Sequence, residues 1–202
     1  LDLVREYDGR VVNSVVHTLT RDSENDRQRI DQIALLDIAL RFNPDILVVG
    51  EMRGAEANAA QEAARTGVAV VTTIHSNSCE ATYRRMVSLC KRAVDMSDET
   101  LMGYVTEAYP IIVFCKQLEN RQRVIMEIME CEIKPDGSRK YRPLYQYEIL
   151  ENQLEGDYFV VNGKHRAMNT ISDGLYKRLL ENGMPMETLN RFRSKGEGGE
   201  EA

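Results

Sequence analysis

Pro44-Asp-Ile-Leu-Val-Val-Gly-Glu-Met-Arg-Gly-Ala-Glu56 is followed, one helix length later, by Val70-Val-Thr-Thr-Ile-His-Ser-Asn-Ser-Cys79. Ile46 to Val49 is a continuous apolar run, the pattern of a parallel strand covered on both faces. Ala55 to Thr66 is rich in Ala, Glu and Gln, which predicts a helix ended by Gly67. Val68 to Ile74 then reads as a second core strand. A strand, helix, strand succession of this length describes a parallel α/β sheet, whose ligands sit at the carboxyl ends of the strands. Glu51 and His75 are each delivered to such an end.

Outward from this unit, Ile33, Leu36, Ile38, Ala39, Leu40 and Phe42 have helical spacing over Ile30 to Phe42, and Pro44 stops that helix. Val11 to Leu19 has strand character after a turn at Asp8-Gly9. Ser78 to Ala93 resumes helical spacing. Beyond Tyr104 the pattern changes: Ile111–Cys115, Val124–Glu130 and Tyr141–Ile149 read as hairpin strands, and Asp157–Val161 as a short strand before a turn at Asn162-Gly163. Ser172 to Glu181 and Met186 to Phe192 are two closing helices, with Pro185 opening the second.

The chain has 202 residues and a formal net charge of −6, which argues against broad adhesion to nucleic acid, and no direct nucleic-acid contact is expected. Cys79, Cys90, Cys115 and Cys131 have neither Cys-x-x-Cys nor zinc spacing, so reduced thiols are expected. No apolar run approaches the roughly 18 residues of a spanning helix. Ser194 to Ala202 lacks core-forming side chains and is expected to be disordered.

A carboxylate at the position of Glu51 can accept a proton from an attacking water or order magnesium through its water shell, the roles phosphoryl transfer asks of protein groups. The plainer alternative is a solvent-facing glutamate after a buried strand. His75, one βα unit later, can donate to a phosphate oxygen, and Thr73 and Asn77 offer short polar contacts. A structural histidine is the alternative there. Arg21, in a loop, has a planar fork suited to phosphate, its own nucleotide's or a neighbour's; a surface arginine is the alternative. Arg53 is a weaker phosphate contact, equally able to pair with Glu51 or Glu56. Glu6 could face magnesium. Because no Gly-x-x-x-x-Gly-Lys-Ser/Thr loop occurs in the chain, the pattern reads as the second half of an ATP-handling domain.

Ala39-Leu-Arg-Phe-Asn-Pro-Asp-Ile-Leu-Val-Val-Gly-Glu-Met-Arg-Gly-Ala-Glu56 and Thr72-Thr-Ile-His-Ser-Asn-Ser78 resemble the type II/IV secretion ATPase superfamily, especially the branch that powers tight-adherence (Flp-type) pilus assembly. The first segment resembles the family's atypical Walker B motif and the second its histidine box; together, at this separation, they are specific. Arg5-Glu-Tyr-Asp8 resembles the end of its acidic box, and Leu19-Thr-Arg21 the segment with a phosphate-contacting arginine.

The resemblance implies an α/β fold: part of a RecA-like P-loop ATPase domain over residues 1–192, with parallel core strands, an antiparallel extension and C-terminal helices, followed by a tail at 193–202. It implies ATP with magnesium, Glu51 as catalytic carboxylate, Glu6 as a second metal-side acid, and His75 as nucleotide-state sensor. It also implies a homohexamer, cytoplasmic and peripheral to the inner membrane, attached to inner-membrane assembly proteins. The chain alone, without a phosphate loop, is expected to be inactive. Two alternatives stay open: a motor for conjugation or DNA uptake, and a non-catalytic regulatory module with an ATPase half-fold.

Overall fold

The computed structural model describes residues 4–25 and 27–193. At the amino end, β1 (Glu6–Tyr7) and β2 (Arg10–Val11) form a minimal antiparallel ribbon. Asp8 and Gly9 turn it at φ 51° and 68°, the left-handed values that a two-residue hairpin demands. The strand expected to run from Val11 to Leu19 stops at once. Val12, Val16 and Leu19 are exposed; among the described residues the ladder ends at Val11 opposite Glu6, and the next pairing is an isolated bridge between Arg21 and Ile30. β-Branched residues favour extended backbone, but a ladder needs a partner.

Helix α1 (Gln32–Arg41) begins two residues later than the apolar spacing suggests, because the Asp31 carboxylate accepts the Ala34 amide at 2.9 Å and caps it. Asn43 takes φ 49°, and Pro44 prevents continuation. Strand β3 (Ile46–Val49) pairs in parallel with β4 (Ala69–Thr72), from Ile46 opposite Ala69 to Val49 opposite Thr72. Helix α2 (Glu56–Arg65) crosses between them, and Gly67 at φ 108° turns the chain back.

The parallel sheet is not covered on both faces. Leu47 and Val49 are buried, whereas Ile46, Val48 and Val71 are exposed. Only two parallel strands are present among the described residues, and α2 packs on one side of them.

Helix α3 (Cys79–Cys90) is capped by Ser78, whose hydroxyl accepts the Ala81 amide. A further helix, α4 (Asp98–Ala108), occupies a stretch for which the sequence pattern suggested no element. Ser97 caps it, and Leu101, Val105 and Ala108 face the core at the i, i+4, i+7 spacing. Arg65 of α2 ties it down, stacking on Tyr104 and pairing with Glu107 at 3.0 Å.

Strands β5 (Ile111–Gln117), β6 (Arg123–Ile133), β7 (Arg139–Glu155) and β8 (Tyr158–Ala167) form an antiparallel meander in that order. The last two are much longer than expected. Their turn lies at Gly156 (φ 61°), and Asn162-Gly163, expected as a turn, is ladder. Gly163 is required for a different reason: a Cβ there would stand 2.5 Å from the Tyr147 ring. Helices α3 and α4 lie between α2 and this sheet, and Met52, Tyr83, Met86, Leu89, Leu101 and Val105 fill the joint core. Each such side chain contributes about 1.5–3 kcal/mol by leaving water.

Helices α5 (Asp173–Glu181) and α6 (Met186–Arg193) close the chain where the spacing places them. Ser172 caps α5 and is also held by the buried Glu130, which accepts both its amide, at 2.8 Å, and its hydroxyl. Arg193 belongs to α6; the remainder of the expected tail lies outside the described residues. Among the described residues, no helix is long and apolar enough to cross a membrane.

Candidate functional site at the ends of the parallel strands

Parallel pairing of β3 and β4 in register makes both strands end at the same edge, so the residues that follow them emerge side by side. The juxtaposition continues past the ladder, where the Met52 amide donates to the Thr73 carbonyl at 2.9 Å. His75 Nε2 lies 3.2 Å from Glu51 Oε1, and Arg53 Nη2 lies 2.5 Å from Glu51 Oε2. A carboxylate with a cation on one oxygen and an imidazole on the other is thus presented at the sheet edge.

The electrostatics follow from these neighbours. The Arg53 guanidinium, by hydrogen bond and charge, holds the Glu51 carboxyl below its ordinary range, with smaller help from the charges of His75 and Arg85 and against some desolvation. Glu51 therefore remains ionised at neutral pH. Its side chain is 23% exposed, while those of Arg53 and His75 are 75% and 86% exposed. A ligand can reach both nitrogen-bearing groups without moving the core.

The connection from Gly50 to Glu56 owes its shape to Glu56. That carboxylate folds back from the first turn of α2 and accepts the Arg53 and Gly54 amides at 2.5 and 2.7 Å. Gly54 makes room for it, since a Cβ there would lie 2.9 Å from Glu56 Oε2.

The other candidates take different places. Thr73 is at the rim, with its hydroxyl donating to the Gly50 carbonyl at 2.6 Å. Asn77 is exposed in the segment between β4 and α3. Arg21 donates from Nε to the Gln28 carbonyl at 2.6 Å, and Glu6 is exposed on the amino-terminal ribbon. Among the described residues, neither contacts Glu51 or His75. Gln32, Arg85 and Arg92 are neighbours that sequence reasoning missed: Gln32 Nε2 donates to the Glu51 carbonyl at 3.0 Å, and Arg92 Nη1 to the Arg53 carbonyl at 3.0 Å. Arg85 and Arg92 stand with Arg84 and Lys91 in a run of basic residues that suits a plain solvated helix face equally well, and a glutamine opening a helix carries no signal at all.

The donor set suits phosphate, with a guanidinium and an imidazole both turned to solvent. For a metal the fit is narrower. Among the described residues, no three His, Cys, Asp or Glu side chains converge on one point, so Glu51 suits an ion that keeps most of its waters rather than a protein cage.

Residues 6–188 match the family model described as type II/IV secretion system protein. The chain belongs to that family. It is 41% identical over 173 residues to the type IV pilus assembly ATPase PilB of Pseudomonas aeruginosa, covering 85% of this chain and 30% of that protein. It is 27% identical over 187 residues to an uncharacterized protein of Methanocaldococcus jannaschii, covering 92% and 63%. A probable conjugal transfer protein TrbB of Sinorhizobium fredii is 27% identical over 168 residues, covering 71% and 48%. The chain thus spans less than two thirds of the length of each. Among solved structures, the VirB11 ATPase of the Brucella suis type IV secretion system, in complex with sulphate, superimposes with a TM-score of 0.46 at 22% identity, over 50% of this chain and 32% of that one.

Proposed function

We propose that this chain is the C-terminal portion of a secretion-family motor of the tight-adherence branch, one that couples ATP hydrolysis to pilus assembly. The observation that carries the reading is the meeting of Glu51 and His75 at the shared end of two parallel strands. The name of the Pseudomonas relative supports a pilus motor at higher identity than the conjugal transfer protein supports its alternative.

In this reading, bound ATP with magnesium supplies the phosphoryl group and neutralises its charge. Glu51, kept ionised by Arg53, orients water and takes up its proton; His75, in contact with Glu51, registers whether the terminal phosphate is present. Arg53, Thr73 and Asn77 line the rim. Arg21 supplies a phosphate contact, and Glu6 a second acid toward magnesium; both come from the segment before α1. The intact motor is a homohexamer, cytoplasmic, and docked peripherally on inner-membrane platform proteins. The 202 residues alone lack a phosphate loop and do not turn over.

The test is ATP hydrolysis by the complete polypeptide that carries this chain. Glu51→Gln is expected to lower kcat by about 100-fold or more while nucleotide still binds. A variant that hydrolyses within twofold of wild type sinks the assignment. Magnesium-dependent turnover by the 202 residues alone, abolished by Glu51→Gln, contradicts the incomplete site.

A further inference from the structure

Between Gly50 and Gly54 the main chain is held group by group, from four different parts of the fold. Thr73, after β4, donates its hydroxyl to the Gly50 carbonyl at 2.6 Å and accepts the Met52 amide at its own carbonyl. Gln32, the first residue of α1, donates to the Glu51 carbonyl at 3.0 Å. Glu56 of α2 accepts the Arg53 and Gly54 amides. Arg92, just past α3, donates to the Arg53 carbonyl at 3.0 Å.

With Met52 and Glu56 buried and Glu51, Gly54 and Ala55 half-buried, this connection must pair its main-chain groups with something other than bulk water. Side chains that hold them fix the peptide planes on both sides of Glu51 and Arg53, and with them the direction of each Cα–Cβ bond. A displacement of about 1 Å at a reacting group costs on the order of 100-fold in rate. Phosphate oxygens only accept hydrogen bonds, and the single Thr73 hydroxyl hydrogen is directed at Gly50, so Thr73 acts through the main chain.

We infer that Gln32, Arg92 and Thr73 are positioning residues that clamp the backbone of the Glu51 loop and thereby aim its carboxylate and the Arg53 guanidinium; the inference rests on Glu51 being the hydrolytic group. None of the three needs to touch nucleotide. The clamp makes α1 and the end of α3 part of the catalytic geometry.

Gln32→Glu replaces the donating amide by an oxygen of nearly the same shape, so the fold survives while the bond is lost. Arg92→Met removes the second clamp, and Arg92→Lys keeps a donor. In the complete polypeptide, Gln32→Glu and Arg92→Met are expected to lower kcat about tenfold or more with KM for ATP within twofold, and Arg92→Lys to recover most of it. In the 202-residue chain, hydrogen exchange at the Met52, Arg53 and Gly54 amides is expected to quicken about tenfold in the same two variants. Unchanged kcat overturns the positioning role, whatever exchange does. Lowered kcat with unchanged exchange also overturns it, since the side chains then act by another route. If Glu51→Gln is inactive and Gln32→Glu is fully active, the clamp alone fails. A fully active Glu51→Gln removes the functional reading and the clamp's purpose together.

Discussion

His75 Nε2 stands 3.2 Å from Glu51 Oε1, although a whole helix separates the two residues along the chain. The parallel register of β3 and β4 brings them together, and the Arg53 guanidinium on the other carboxylate oxygen sets the charge state of the pair.

The first prediction concerns that charge state. Arg53 is the largest cause of the lowered Glu51 pKa, so Arg53→Gln should raise it toward the ordinary glutamate value, and His75→Asn should raise it less. Carboxyl-carbon NMR titration reads both shifts. Because the folded value lies below the unfolded one, the stabilisation from this ionised group is fully present above the unfolded pKa. It is lost as pH falls through the lowered folded value. An unmoved Glu51 titration in Arg53→Gln would falsify the stated cause.

Glu56→Ala removes the acceptor of two amides from a residue that is 9% exposed. The expected destabilisation is about 1–3 kcal/mol, read from urea unfolding. Gly54→Ala should act in the same direction, because its Cβ would crowd the Glu56 carboxylate. Wild-type stability in both variants would mean that water serves these amides equally well.

A buried polar contact between Ser172 and Glu130 holds the start of the C-terminal helices, beside the packing of Leu189. Ser172→Ala removes a hydroxyl that both caps α5 and donates to Glu130, at a combined cost of about 1–3 kcal/mol. Proteolysis between Met168 and Pro185 should quicken with it. Equal cleavage rates in variant and wild type would show that packing, not this contact, docks the pair.

Thiol chemistry should separate the four free cysteines. Cys115 is exposed; burial pushes Cys90 and Cys131 up to about 11, and Cys79 well above its usual range. At pH 8 an aromatic disulfide reagent is expected to modify Cys115 alone in the native chain and all four cysteines in denaturant. Rapid labelling of Cys79 would contradict the packing of α3 against β5 and β6.

Much of the fold around the site was legible in sequence because it rests on local signals: an unbroken apolar run, Ala-rich helix formers, Pro44, Gly67 and capping serines. Local signals failed where pairing decides the outcome. Val11 to Leu19 has strand composition and forms almost no ladder, whereas Asn162-Gly163 has turn composition and lies within one. Helix α4 was missed although its cap and apolar spacing are present, because its polar first turn and the strand run beginning at Ile111 drew the boundary too early.

The residue types and spacing around the site determined the strand-helix-strand unit, and with it the placing of Glu51 and His75 just past two strand ends, because the apolar runs, the Ala-rich helix formers and Gly67 all agree there. Only the tertiary structure decided how the intervening loop is aimed. Gln32, Thr73, Glu56 and Arg92 reach it from separate elements, and hydrogen bonds between residues distant in sequence leave no periodicity to read.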